Sequence, residues 1–83
     1  MEWNSRIKEL VAMGASITAN CQPCLQYHTD KAIEFGATPG EIAAAIKTGK
    51  QVRKGAHAEM DAFVSDVKAG LRSSGAKESA CCS

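Results

Sequence analysis

Trp3, Ile7, Leu10, Val11, Gly14 and Ile17 recur at spacings of three and four, an apolar stripe that predicts a first helix over about residues 3–19. Arg6, Lys8 and Glu9 fall mostly off that stripe, so periodicity leaves Glu9 in solvent. A glycine inside a helix costs about 1 kcal/mol relative to alanine, so Gly14 points to the close approach of a neighbouring backbone. Asn20 reads as the N-cap of a second helix over about 21–36, with Pro23 in its first turn and Gly36 as its stop. The inner face of that helix carries Cys21, Cys24, Leu25, His28, Ala32 and Phe35.

Thr38-Pro39-Gly40-Glu41 has the form of a capping box, with Thr38 as N-cap, Pro39 at the first helical position and Glu41 three residues on. A third helix runs from there to about Arg53, presenting Ile42, Ala45, Ile46, Gly49 and Val52 on one side. Lys50, Arg53 and Lys54 complement the negative end of its dipole, and Gly55 reads as a break. A fourth helix over about 56–71 is then expected to bury Ala56, Met60, Phe63, Val64, Val67 and Leu71. Strand-like alternation is absent. The pattern predicts an all-α, four-helix domain over 1–72, followed by a small, polar, flexible tail over 73–83 that ends in Cys81-Cys82-Ser83.

Composition adds a constraint on assembly. The hydrophobic fraction is 45%, but alanine supplies much of it. A short chain with such a core buries little apolar area alone, so subunits are expected to share a core in a homo-oligomer. Ten basic and nine acidic residues leave a net charge of +1, with no basic–aromatic interleaving that would mark a nucleic-acid surface. The N-terminal stretch lacks the apolar segment of a signal peptide, and no apolar run is long enough to span a membrane. These features predict a soluble, cytoplasmic protein.

In that setting the four cysteines point to chemistry rather than a disulfide framework. Cys21 and Cys24 fall in the first turn of the second helix, where the dipole and free N–H groups favour thiolate over thiol. A two-residue spacer lets their sulfurs form a disulfide, and Pro23 stiffens the turn. His28 lies four residues beyond Cys24, one helical turn along the same face, placed to accept or return a thiol proton. His57 has no comparable surroundings. Cys21, Cys24 and His28 also supply three ligand types that zinc accepts, which leaves a zinc or soft-metal module as an alternative. Glu9, His57 or the tail cysteines are the candidates for its fourth ligand. A c-type haem attachment is excluded because no histidine directly follows Cys24.

Glu9, Cys21-Gln22-Pro23-Cys24 and His28, with eleven residues between Glu9 and Cys21, resemble the signature of the carboxymuconolactone decarboxylase-like superfamily in its alkylhydroperoxidase D branch. The flanking Gly14-Ala15-Ser16-Ile17, Ile42-Ala43-Ala44-Ala45-Ile46 and Gly49-Lys50-Gln51-Val52-Arg53-Lys54-Gly55-Ala56 are similar to its short single-domain members. The resemblance implies a helical fold assembled as trimers or hexamers, and a proton relay in which Glu9 and His28 serve the cysteine pair. It further implies that Cys24 attacks a small hydroperoxide and that Cys21 condenses with the resulting sulfenic acid. An external dithiol donor then resets the pair, with no bound cofactor. Pro23 stands where the best-studied branch has a second histidine, which shifts the expectation toward disulfide exchange. The superfamily's decarboxylases lack the redox pair, so lactone decarboxylation is not expected. Cys81 and Cys82 lie outside the motif; an electron shuttle to Cys21–Cys24, a soft-metal site and a fortuitous tail all stand open for them.

Overall fold

The computed structural model describes residues 2–74, with side chains to residue 71. It is all-helical: α1 spans Ser5–Thr18, α2 Gln22–Glu34 and α3 Pro39–Ser74. The central element is α1, which packs against both α2 and α3, while those two barely meet.

The start of α1 is set by Asn4, whose side-chain oxygen accepts the Ile7 N–H at 2.9 Å. Its end is a Schellman motif. The Asn20 N–H donates to the Ile17 carbonyl at 3.1 Å and the Cys21 N–H to the Ser16 carbonyl at 3.0 Å. Asn20 closes that motif with φ 58°, a left-handed conformation that asparagine tolerates. The expected N-cap role of Asn20 is thereby corrected: Cys21 caps α2, and Asn20 terminates α1. The same device ends α2, where Gly36 has φ 91° and Ala37 N–H reaches the Ala32 carbonyl at 2.9 Å. Thr38 and Glu41 form the reciprocal capping box at the head of α3, with bonds of 3.0 and 3.1 Å. An ion pair from Arg6 to Glu41 ties that turn to the start of α1.

Among the described residues three helices stand where four were expected. Gly55 does not take the positive φ that would end a helix, and no proline follows it to force one. The stripe Val52, Ala56, Met60, Phe63, Val67 keeps spacings of three and four across Gly55, so nothing in its phase calls for a turn. The resulting 36-residue helix is about 54 Å long at 1.5 Å per residue, close to the 58 Å long axis of the molecule.

The backbones of α1 and α3 approach closely at paired glycines. A Cβ placed on Gly49 would lie 2.8 Å from the Gly14 carbonyl oxygen and 3.0 Å from its Cα. The close contact expected of Gly14 is therefore present, with Gly49 as the more constrained partner. Thr18 fastens the crossing, its hydroxyl lying 3.0 Å from the Gly14 carbonyl and 3.3 Å from that of Gly49.

Burial departs from the stripe on α1. Met13, Ser16, Ile17 and Glu9 are buried because α1 is covered from two sides rather than one, whereas Val11 is exposed, as is Trp3, which precedes the helix. Phe35 at the end of α2 is exposed as well. The second half of α3 has no such cover. Met60, Phe63, Val64 and Val67, expected in a core, are 60, 62, 44 and 44% exposed, and Ala56 is exposed too. Their periodicity is that of a packing face, but α1 is too short to reach them. The radius of gyration, 18.6 Å, exceeds the roughly 12 Å of a compact chain of this length. Cys81 and Cys82 lie outside the described residues.

Candidate functional site

Cys21 owes its position to two local motifs that share it. It is the last residue of the Schellman motif closing α1 and the N-cap of α2. Its sulfur accepts the Cys24 N–H at 3.2 Å and is disulfide-bonded to Cys24, with Cα atoms 5.2 Å apart. That separation falls in the ordinary range for a disulfide. A thiolate released at Cys21 would keep that N–H donor and the positive end of the α2 dipole. Both cysteines are half-buried, so the pair is held by the fold yet open to solvent on one side.

Glu9 is the largest departure from the periodicity reading. It is only 6% exposed, with one carboxylate oxygen 2.8 Å from Nδ1 of His28. A carboxylate removed from water costs several kcal/mol unless paired and hydrogen-bonded, and His28 supplies that partner across the α1–α2 interface. With Glu9 accepting at Nδ1–H, His28 is held in the tautomer whose Nε2 has a free lone pair. The imidazole is half-buried and one helical turn from Cys24, and Tyr27 lies edge-on against it with ring centroids 5.1 Å apart. Among the described residues no buried side-chain nitrogen or oxygen lacks a partner.

Two pairs therefore stand along the α1–α2 seam: Glu9 with His28, and Cys21 with Cys24, which precedes His28 by one helical turn. His57 is elsewhere, exposed on the far part of α3. Among the described residues no three His, Cys, Asp or Glu side chains converge to hold a metal ion, and the two sulfurs are bonded to each other. The zinc alternative thus gains no observation in its favour.

One residue of this neighbourhood escaped the sequence reading. Arg53, assigned there only to the helix dipole, reaches from α3 to Asn20, its Nη1 donating to the side-chain oxygen at 3.3 Å. It lines a cavity of about 170 Å³ with Ser16, Ile17, Asn20, Cys21, Gln22 and Leu25. The signal was its spacing: Arg53 is four residues beyond Gly49, whose added Cβ would touch Ile17 at 3.1 Å, so it projects from the same side of α3 one turn further on.

The profile of the carboxymuconolactone decarboxylase family matches residues 2–65, and the chain belongs to that family. The match takes in Glu9, Cys21, Cys24 and His28. No curated protein and no solved structure matches the chain. No helix among the described residues is long and apolar enough to cross a membrane.

Proposed function

We propose that this member of the carboxymuconolactone decarboxylase family is a thiol-dependent oxidoreductase of the alkylhydroperoxidase D kind. The observation that carries the reading is the buried Glu9 carboxylate bonded to His28, one helical turn from a cysteine whose sulfur pairs with Cys21. A carboxylate that orients an imidazole, and an imidazole that serves a thiol, form an orienter–base–nucleophile arrangement.

In the peroxidase direction His28 takes the Cys24 proton, and the thiolate attacks the distal oxygen of a small hydroperoxide. The O–O bond breaks, the alcohol leaves with a proton, and Cys24 becomes a sulfenic acid. The Cys21 thiol condenses with it, forming the disulfide and releasing water. A dithiol donor then attacks the disulfide, passes through a mixed disulfide, and leaves oxidised with Cys21 and Cys24 reduced. With Pro23 between the cysteines rather than a further imidazole, the proposal gives disulfide exchange at least equal weight with peroxide reduction.

A homo-oligomer, trimeric or hexameric, in the cytoplasm completes the proposal. The uncovered apolar stripe of α3 supports self-association, since Met60, Phe63, Val64 and Val67 form one continuous face.

Turnover of an organic hydroperoxide with a dithiol reductant tests the reading in three variants. Cys24→Ser should abolish it, while Glu9→Gln and His28→Ala should slow it by about 10²–10⁴-fold, the range of positioned acid–base groups. Full activity in Cys24→Ser would overturn the mechanism.

A further inference from the structure

The cavity at Arg53 opens onto Cys21, and Cys24 does not line it. A thiol bound there therefore lies beside Cys21 rather than Cys24. Arg53 is half-buried, and its only hydrogen-bond partner among the described residues is the neutral amide of Asn20, with no carboxylate paired to it. Arg6, by contrast, is paired with Glu41 and Lys31 with Glu34. The volume of about 170 Å³ is below the roughly 300 Å³ of small drug-type pockets, so it takes a short fragment and not an extended chain. The remaining lining is mixed, with Ile17 and Leu25 beside Ser16, Asn20 and Gln22.

We infer that Arg53 is a specificity-determining residue, and that this cavity receives a small thiol reductant bearing a carboxylate a few bonds from its sulfur. The inference rests on the thiol–disulfide reading above and adds the substrate class. The carboxylate binds the guanidinium, which presents planar donors suited to it. The thiolate attacks Sγ of Cys21, the Cys21–Cys24 bond breaks, and the electron pair leaves on Cys24, which takes a proton from solvent passed through Nε2 of His28. A second thiolate attacks the mixed disulfide at the small-molecule sulfur, so two thiols become one disulfide and Cys21 leaves reduced. Attack at Cys21 makes Cys24, four residues before His28 on the same helix, the leaving sulfur.

The test compares 3-mercaptopropionate with 2-mercaptoethanol as reductants of the oxidised full chain. Acid quenching, alkylation and peptide mass spectrometry follow Cys21 and Cys24 separately from the tail cysteines. Rates are corrected to thiolate and normalised to each thiol's reaction with hydroxyethyl disulfide, a neutral reference. The wild type should prefer the anionic thiol by about fivefold, the scale of one partly exposed charge contact. Arg53→Gln should reduce the preference to within about twofold of unity, and Arg53→Lys should restore part of it. Lys50→Gln, which removes an exposed charge outside the cavity, should leave it intact. No preference in the wild type, a preference surviving in Arg53→Gln, or an equal loss in Lys50→Gln overturns the subsite alone. A disulfide that neither thiol reduces faster than the reference overturns the oxidoreductase reading with it.

Discussion

Replacing Gly49 with alanine tests the crossing that holds α3 against the site. The new Cβ would sit 2.8 Å from the Gly14 carbonyl oxygen, 3.0 Å from Gly14 Cα and 3.1 Å from the Ile17 Cβ. Two of those atoms are α1 backbone and the third is fixed to it, so no side-chain rotation relieves the collision and the helices must separate. Overpacking of this kind costs about 1–3 kcal/mol, and contact with backbone places it near 3. Alanine's better helix propensity offsets about 1 kcal/mol of that, leaving a net loss of about 2. Gly14→Ala is the matched control. Its Cβ would lie 3.6 Å from the Ala45 carbonyl oxygen, an ordinary contact, so the propensity gain of up to about 1 kcal/mol remains. The two variants should differ by about 3 kcal/mol despite being the same substitution at facing positions. Thermal unfolding followed by far-ultraviolet circular dichroism, at one fixed protein concentration, reads this as a drop of about 8–16 °C in Gly49→Ala. A Gly49→Ala protein as stable as wild type, or equal loss in Gly14→Ala, would refute the close crossing.

Two further outcomes follow from the helix ends. Asn20→Gly should be near neutral, whereas Asn20→Ala should cost about 1–2 kcal/mol in urea unfolding, because alanine pays the left-handed penalty at φ 58°; equal stability of the two would contradict the fused cap. The Thr38 N–H donating to its carboxylate, with Arg6 alongside, holds Glu41 below the ordinary carboxylate range despite an opposing desolvation contribution. A lowered folded-state value means stabilisation present at neutral pH and lost as pH falls below about 4.3 and through the folded value. The advantage of wild type over Glu41→Gln should shrink across that acid window, and an advantage independent of pH would sink the assignment.

Local chemistry made much of the fold legible. The Thr38–Glu41 box needs only four consecutive residues, and the chain realises it as read. Asn20 shows where such signals become ambiguous. The short polar side chain that suits an N-cap also tolerates the left-handed turn after a helix, and only the position of Cys21 decides between them. Gly55 carries the same ambiguity, since a glycine weakens a helix without ending it unless the backbone turns left-handed there. Periodicity found the stripe from Ala56 to Val67 but carries no information about which chain covers it. Glu9 lay beyond periodicity for another reason: its burial depends on a histidine from a different helix. The spacing shared with the family brought it forward, and hydropathy did not. Arg53 remained hidden because its neighbours, Asn20 and Cys21, are about thirty residues away along the chain and meet it only after α1 and α3 cross.

The central claim is that Cys21 and Cys24 act as a redox pair, and mass spectrometry of the reduced protein tests it most directly. One equivalent of an organic hydroperoxide should remove two hydrogens from the peptide carrying Cys21 and Cys24, and a dithiol should restore them. Glu9→Gln should reach the same end point more slowly. A peptide that keeps both thiols after the hydroperoxide and after a small-molecule disulfide alike would contradict the account.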